Sequence, residues 1–112
     1  MPVFDRLAVV AVPFPYVERE MRKHRPAVLV TGDDLAPHHG LGWVVMITSA
    51  ENPAWPGDIS IADPTRAGLR SPSVIRPVKI ATVELARCRR LGDLDSATAE
   101  RLCHTLRLIL AL

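Results

Sequence analysis

Two sets of polar residues lie where predicted strands begin or end. Arg25 directly precedes one predicted strand, and Thr48 and Ser49 close another. In a small barrel the ends of consecutive strands lie on one rim, where an arginine neutralises a phosphate and a hydroxyl group donates to its oxygen. Alternatively, Arg25 pairs with Glu18 or Glu20 and Thr48 caps its strand. From the residues alone both interpretations stay open, and the ion pair is the commoner arrangement.

Other catalytic patterns are missing from the sequence. His38 and His39 are adjacent, so on a strand they face opposite ways, and no other histidine has a partner at metal-ligand spacing. Cys88 and Cys103 match no zinc or redox motif. The chain contains neither a glycine-rich phosphate loop nor a serine in a nucleophile elbow. We therefore expect no metal site and no cofactor.

The basic residues are mostly of one kind. Twelve of the fourteen Lys and Arg residues are arginine, although the formal net charge is only +2. The planar guanidinium group suits phosphate better than the point charge of lysine. An arginine-rich solvated surface gives the same composition, so the charge alone favours a nucleic-acid partner only weakly.

Length and composition indicate one folded domain spanning residues 1–112. An apolar fraction of 48% excludes intrinsic disorder. No stretch approaches the about 18 uncharged apolar residues of a membrane-spanning helix. The first residues lack the basic start and cleavage site of a signal peptide. We expect a cytoplasmic protein with no membrane partner.

The apolar pattern predicts short strands followed by one helix. Proline and glycine residues separate the strands, and from residue 96 the apolar period changes from 2 to 3.6, with Asp95 or Ser96 as the N-cap. The predicted fold is a mainly β domain, a small and strongly bent barrel with a C-terminal helix. The predicted strands cover residues 7–12, 26–31, 43–49, 58–62, 73–76 and 79–85, with 87–91 as a continuation; residues 16–25 and 35–42 are predicted loops, and residues 96–110 the helix.

Several short segments follow one another in an order typical of a known family. They are VPFP at residues 12–15, KHRPA at 23–27, ITS at 47–49, WPGDI at 55–59, AGLRSPSVIR at 67–76, KIATV at 79–83 and LGDL at 91–94. Together they resemble the PemK/MazF family of bacterial toxins, and the likeness spans nearly the whole chain.

The resemblance implies a fold and an activity. The fold is an SH3-like barrel with a C-terminal helix, assembled as a homodimer. The activity is metal-independent, sequence-selective cleavage of single-stranded RNA, in which the RNA's own 2′-hydroxyl attacks and leaves a cyclic phosphate and a 5′-hydroxyl. A cognate antitoxin with an acidic segment inhibits the toxin, which reaches operator DNA only through the antitoxin complex. The family's catalytic arginine matches Arg25 and its threonine matches Thr48, with Ser49 beside it.

A general base does not follow from the resemblance. Arginine is a poor base because its pKa exceeds about 12, so Arg25 is assigned mainly to charge stabilisation. Glu18, Glu20 and His24 are the candidates for acid–base catalysis, and His24 has the most suitable ordinary pKa. The remaining cations near the site are expected to bind the RNA backbone, namely Arg19, Arg22, Lys23, Arg70 and Arg76.

Two departures from the family pattern leave other functions open. The first strand is preceded by Phe4-Asp5-Arg6, which lacks the usual glycine, and Arg70 is followed by Ser71 rather than by an acidic residue. An alternative is a non-enzymatic toxin on the same barrel, such as a gyrase inhibitor that acts through its C-terminal helix. A further alternative is a degenerate member that acts only as a binding module.

Overall fold

The computed structural model describes residues 4–13, 24–32 and 35–112. Within these ranges the chain forms strands, two helices and one 3-10 turn. The strands are β1 (Ala8–Pro13), β2 (His24–Leu29), β3 (Leu41–Ser49), β4 (Ile59–Ser60), β5 (Ser73–Glu84) and β6 (Arg89–Asp93). The helices are α1 (Ala36–His39) and α2 (Ser96–Leu110), and the 3-10 turn covers Leu85–Arg87.

The strands form one antiparallel sheet in the order β4-β5-β3-β2-β1-β6. The sheet is curled, and α2 completes the domain after the last strand. The predicted class, a mainly β fold with a C-terminal helix, is therefore confirmed.

Both faces of the sheet are apolar, because side chains alternate between them along each strand. One face, here called the helix face, packs against Leu102 and Leu106 of α2. The opposite face, here called the open face, has its own apolar cluster. The strand residues of the helix face include Val9, Val28, Val45, Ile47 and Ile75. Those of the open face include Val10, Val12, Ala27, Leu29, Val44 and Met46.

Strand β5 is continuous where the sequence predicts two strands. Its pairing with β3 shifts register, since Met46 lies opposite Arg76 and the preceding residue of β3, Val45, lies opposite Ile80. Residues 77–79 therefore bulge out of the ladder and oppose no residue of β3. Proline lacks a backbone N–H and is tolerated at bulges, so Pro77 bends β5 without ending it. The prediction of a break at Pro77 is wrong.

Other element bounds also differ from the predictions. Strand β2 begins at His24, so His24 and Arg25 belong to the strand and not to the preceding loop. The predicted loop at 35–42 contains α1 and the start of β3. Strand β4 is shorter than predicted, and β6 follows the 3-10 turn as a separate strand.

Helix α2 has the predicted bounds, Ser96–Leu110. Asp95 is the N-cap, and its carboxylate accepts a hydrogen bond from the backbone N–H of Thr98 at 3.0 Å. The hydroxyl of Thr98 in turn accepts from the backbone N–H of Ala62 at 3.2 Å, which ties the start of α2 to the segment after β4. In the described part of the chain, no helix has the length and apolar character needed to cross a membrane.

Candidate functional site

Arg25 and Thr48 lie on neighbouring strands at the same level of the sheet. Strands β2 and β3 pair with Ala27 opposite Met46. Continuing this register by two residues places Arg25 level with Thr48, and alternation places both on the open face. The two residues singled out from strand ends are thus brought together by the antiparallel pairing of β2 with β3.

A cavity of about 190 Å³ lies at this position. Its volume is below the about 300–1,000 Å³ of pockets that enclose whole small molecules, so it suits a single group such as a phosphodiester. Three of the lining side chains are cations and none is acidic. The described residues that line it are Arg25, Met46, Ile47, Thr48, Arg76 and Lys79.

The hydroxyl group of Thr48 has a defined partner. The side-chain amide of Asn52 donates a hydrogen bond to Thr48 Oγ1 at 2.5 Å. A hydroxyl group both donates and accepts, so with its oxygen accepting from Asn52, Thr48 keeps its own hydrogen for an acceptor in the cavity. Ser49 is used differently, because its Oγ accepts from the backbone N–H of Glu51 at 3.2 Å.

The segment that follows Asn52 ends in a tight turn. Residues 55–58 read Trp-Pro-Gly-Asp, the signature of a type II β-turn, which needs a positive φ at its third residue. Gly57 has φ +90°. The backbone N–H of Asp58 donates to the carbonyl of Trp55 at 3.1 Å, and the Asp58 carboxylate accepts from the N–H of Trp55 at 3.0 Å. These two bonds fix the turn and place the Asp58 carboxylate.

Arg76 anchors this turn to the sheet. Its Nε and Nη2 atoms each donate to the Asp58 carboxylate at 3.0 Å, and Nη2 also donates to the carbonyl of Pro53 at 3.0 Å. Its guanidinium carbon lies 4.0 Å from the ring centroid of Trp55. The hydrogen bonds from Arg76 lower the pKa of Asp58, outweighing the opposing effect of burial.

This geometry changes the expectation for Arg76. The side chain is only 9% exposed, and three of the five guanidinium N–H groups are directed to Asp58 and Pro53. This arrangement therefore disfavours the predicted contact between Arg76 and the RNA backbone. Arg76 instead anchors residues 53–58 at the edge of the cavity.

The other predicted site residues lie elsewhere. His24 is exposed at the start of β2, and alternation places it on the sheet face opposite Arg25. Arg70 is exposed and is not among the residues that line the cavity. The other predicted acid–base and RNA-binding residues lie outside the described residues: Glu18, Glu20, Arg19, Arg22 and Lys23.

Sequence reasoning assigned no site role to Lys79, Asn52 or Trp55. Lys79 reaches the cavity from the bulge of β5, and bulges commonly redirect a side chain next to an active site. The turn signal at residues 55–58 was available in the sequence, but nothing local indicates that the turn packs on Arg76.

The described residues lack the ligand sets that metal ions require. In residues 4–13, 24–32 and 35–112, no group of three or more His, Cys, Asp or Glu residues is placed to hold a metal ion. The arginine, lysine and threonine side chains that line the described cavity offer N–H and O–H donors to an anion.

The chain forms a small, mainly β domain with a cavity lined by three cationic side chains, and family comparison identifies it further. The family model described as PemK-like, MazF-like toxin of type II toxin–antitoxin systems matches residues 5–110. The chain therefore belongs to the PemK/MazF toxin family. A search of curated proteins by sequence gave no match.

Solved structures share the fold at low identity. The crystal structure of MazE–MazF from Deinococcus radiodurans has a TM-score of 0.75 and 17% identity, covering 100% of this chain and 99% of that chain. The Mycobacterium tuberculosis toxin MazF-mt6 has a TM-score of 0.71 and 19% identity over 94% of this chain and 97% of that chain. An endoribonuclease in complex with its cognate antitoxin, from a mycobacterial species, has a TM-score of 0.72 and 19% identity over 100% and 97%.

Proposed function

We propose that this chain is an endoribonuclease toxin that cleaves single-stranded RNA sequence-selectively and without a metal ion. The observation that carries the proposal is the shared cavity of Arg25 and Thr48, the two positions that match the family's catalytic residues. Membership of the toxin family and the likeness to an endoribonuclease structure support the same activity.

The proposed reaction uses a nucleophile from the substrate. The 2′-hydroxyl of a ribose attacks the adjacent phosphorus while the bond to the 5′-oxygen of the next nucleotide breaks. The products are a 2′,3′-cyclic phosphate and a 5′-hydroxyl, and the proton lost by the 2′-oxygen is balanced by the one gained by the 5′-oxygen. The protein has to hold the phosphodiester in line and to stabilise the charge that develops on it.

The cavity residues suit these tasks. Arg25 presents a guanidinium fork to the nonbridging phosphoryl oxygens, and Thr48 donates its hydroxyl hydrogen to one of them. Lys79 adds a second positive charge to the same cavity. Ser49 lies beside Thr48 and accepts a hydrogen bond from the backbone N–H of Glu51, so its proposed part is to hold the end of β3.

Glu18, Glu20 and His24 are the candidates for the acid and the base of the reaction. His24 lies on the opposite face of the sheet from Arg25, so we propose the two glutamates first. Substituting each residue with alanine in turn separates them, because loss of a general acid or base lowers the rate about 10²–10⁴-fold.

The proposed partners follow from the family. We expect a two-fold homodimer and a cognate antitoxin whose acidic segment covers the cationic cavity, with operator DNA bound only by the complex and the toxin acting in the cytoplasm. Sedimentation of the isolated protein at micromolar concentration tests the dimer. A clean monomer contradicts it.

The activity is tested with purified protein, a long single-stranded RNA and excess EDTA. Cleavage with cyclic-phosphate and 5′-hydroxyl ends is the expected result. Activity that disappears in EDTA and returns with magnesium contradicts the metal-independent mechanism. Intact RNA together with inhibition of gyrase supports the non-enzymatic alternative.

Variants of the cavity test the catalytic assignment. Arg25→Ala and Thr48→Ala are each expected to lose about 10²–10³-fold in cleavage rate, and Arg25→Lys is expected to fail because a point charge does not reproduce the guanidinium fork. The matched controls are Arg107→Ala on α2 and Thr82→Ala on β5, both exposed and outside the cavity. Parental rates for Arg25→Ala and Thr48→Ala refute the assignment.

A further inference from the structure

Trp55 is a large aromatic residue that lies outside the hydrophobic core. Its side chain is 43% exposed, and its turn neighbours Pro56 and Gly57 are exposed as well. Burying an aromatic ring is strongly favourable, so a half-exposed tryptophan on a polar loop is not explained by packing alone.

The ring of Trp55 is nevertheless held in place. Arg76 lies over the ring with its guanidinium carbon 4.0 Å from the centroid, and the backbone N–H of Trp55 donates to the Asp58 carboxylate at 3.0 Å, which fixes the backbone that carries the ring. Because Arg76 covers one face, the exposed surface lies on the other face and the edges. A rigid, half-covered aromatic ring loses little conformational entropy when a second flat group stacks on it.

The Trp55 ring lies next to the phosphate-sized cavity, because one arginine contacts both. Arg76 both lines the cavity and lies over the Trp55 ring. A chain of nucleotides with one phosphodiester beside Arg25 and Thr48 therefore brings a neighbouring base close to Arg76 and the Trp55 ring. Unpaired bases commonly stack on aromatic side chains in proteins that bind single-stranded RNA.

We propose that Trp55 is a stacking platform for an unpaired nucleobase next to the phosphodiester held by Arg25 and Thr48. This inference rests on the proposed function for the identity of its ligand as RNA. Arg76 and Asp58 are the positioning residues of the platform, because they fix the turn and cover the inner face of the ring.

The test measures binding of a short fluorescent DNA oligonucleotide, which has bases and phosphates but no 2′-hydroxyl and is therefore not cleaved. Alanine substitution of a base-stacking aromatic lowers affinity by roughly 5- to 150-fold, and we expect this loss for Trp55→Leu, which keeps an apolar cover on Arg76. Trp55→Phe is expected to bind within a few-fold of the parent. The matched control is Trp43→Leu on β3, because Trp43 is also 43% exposed and does not line the cavity.

An abasic oligonucleotide of the same length separates stacking from other causes. With no base to stack, the parent and Trp55→Leu are expected to bind it equally. If Trp55→Leu loses affinity equally for the normal and the abasic oligonucleotide, or loses none for either, the platform is overturned. Failure of the parent to bind the normal oligonucleotide also overturns it.

The same measurements distinguish the platform from the proposed function. A parent protein that binds the oligonucleotide through Trp55 but leaves RNA intact contradicts the endoribonuclease and keeps the platform. A parent that cleaves RNA while Trp55→Leu binds and cleaves normally contradicts the platform alone.

Discussion

The ion pair between Arg76 and Asp58 gives a prediction of stability. Both side chains are only 9% exposed and they share two hydrogen bonds of 3.0 Å. Asp58→Asn keeps the shape of the side chain but removes the charge that balances the guanidinium. Breaking a buried pair costs about 3–5 kcal/mol and an exposed pair at most about 1 kcal/mol. Because the surrounding loop is exposed, we expect about 2–4 kcal/mol.

The expected loss converts to a change of melting temperature. An unfolding entropy of about 2.1 cal/mol/K per residue gives about 0.24 kcal/mol/K for this chain. The Tm of Asp58→Asn should therefore fall by about 8–17 °C. Thermal unfolding followed by circular dichroism at neutral pH measures it.

A control with an exposed pair tests the reasoning. Glu84 and Arg87 form an ion pair whose side chains are 63% and 69% exposed. Glu84→Gln is therefore expected to change the Tm by less than about 4 °C. If Asp58→Asn lowers the Tm no more than Glu84→Gln does, the pair is not the anchor of the loop.

Three further predictions concern pH, the helix cap and the cavity. The pKa of Asp58 is lowered in the folded protein, so the stability difference between the parent and Asp58→Asn is fully present above about pH 4 and shrinks as the pH falls below it. Urea unfolding at several pH values measures this difference in stability. A difference that stays constant with pH contradicts the prediction. Asp95→Ala removes the cap bond to Thr98 and should lower the Tm by about 2–9 °C, whereas an unchanged Tm refutes the cap. Asn52→Asp replaces the amide donor with a carboxylate that accepts the hydroxyl hydrogen of Thr48. The rate of RNA cleavage should therefore fall further in Asn52→Asp than in Asn52→Ala. Equal cleavage rates of the two variants contradict the proposed orientation of the Thr48 hydroxyl.

The helix was predictable because its signals are local. Leu102 and Leu106 repeat at helical spacing, and Asp95 precedes them as a capping residue. The continuity of β5 was not predictable in the same way. Whether Pro77 ends a strand or is accommodated in a bulge depends on how β5 pairs with β3, which is a long-range property.

The candidate site likewise has one part that the sequence predicts and one part that depends on long-range contacts. Arg25 and Thr48 were predicted to share a rim, and the register of β2 with β3 brings them to one cavity. Lys79 and Trp55 were not assigned to the site, because one depends on the bulge and the other on packing against Arg76. Their placement follows from contacts between segments that are distant in sequence.

The position of β6 has a consequence for how the protein is made. Residues 8–11 of β1 pair with residues 89–93, so a growing chain carries β1 with one unpaired edge until β6 has been synthesised. The helix face stays uncovered for longer still, since Leu102 and Leu106 come later. Such distant pairings form slowly, and unpaired strand edges are prone to aggregation. The sheet that carries the Arg25–Thr48 cavity is therefore incomplete until β6 has been synthesised, although every residue that lines the cavity precedes β6. A chain truncated before β6 releases an incomplete sheet rather than a smaller working domain.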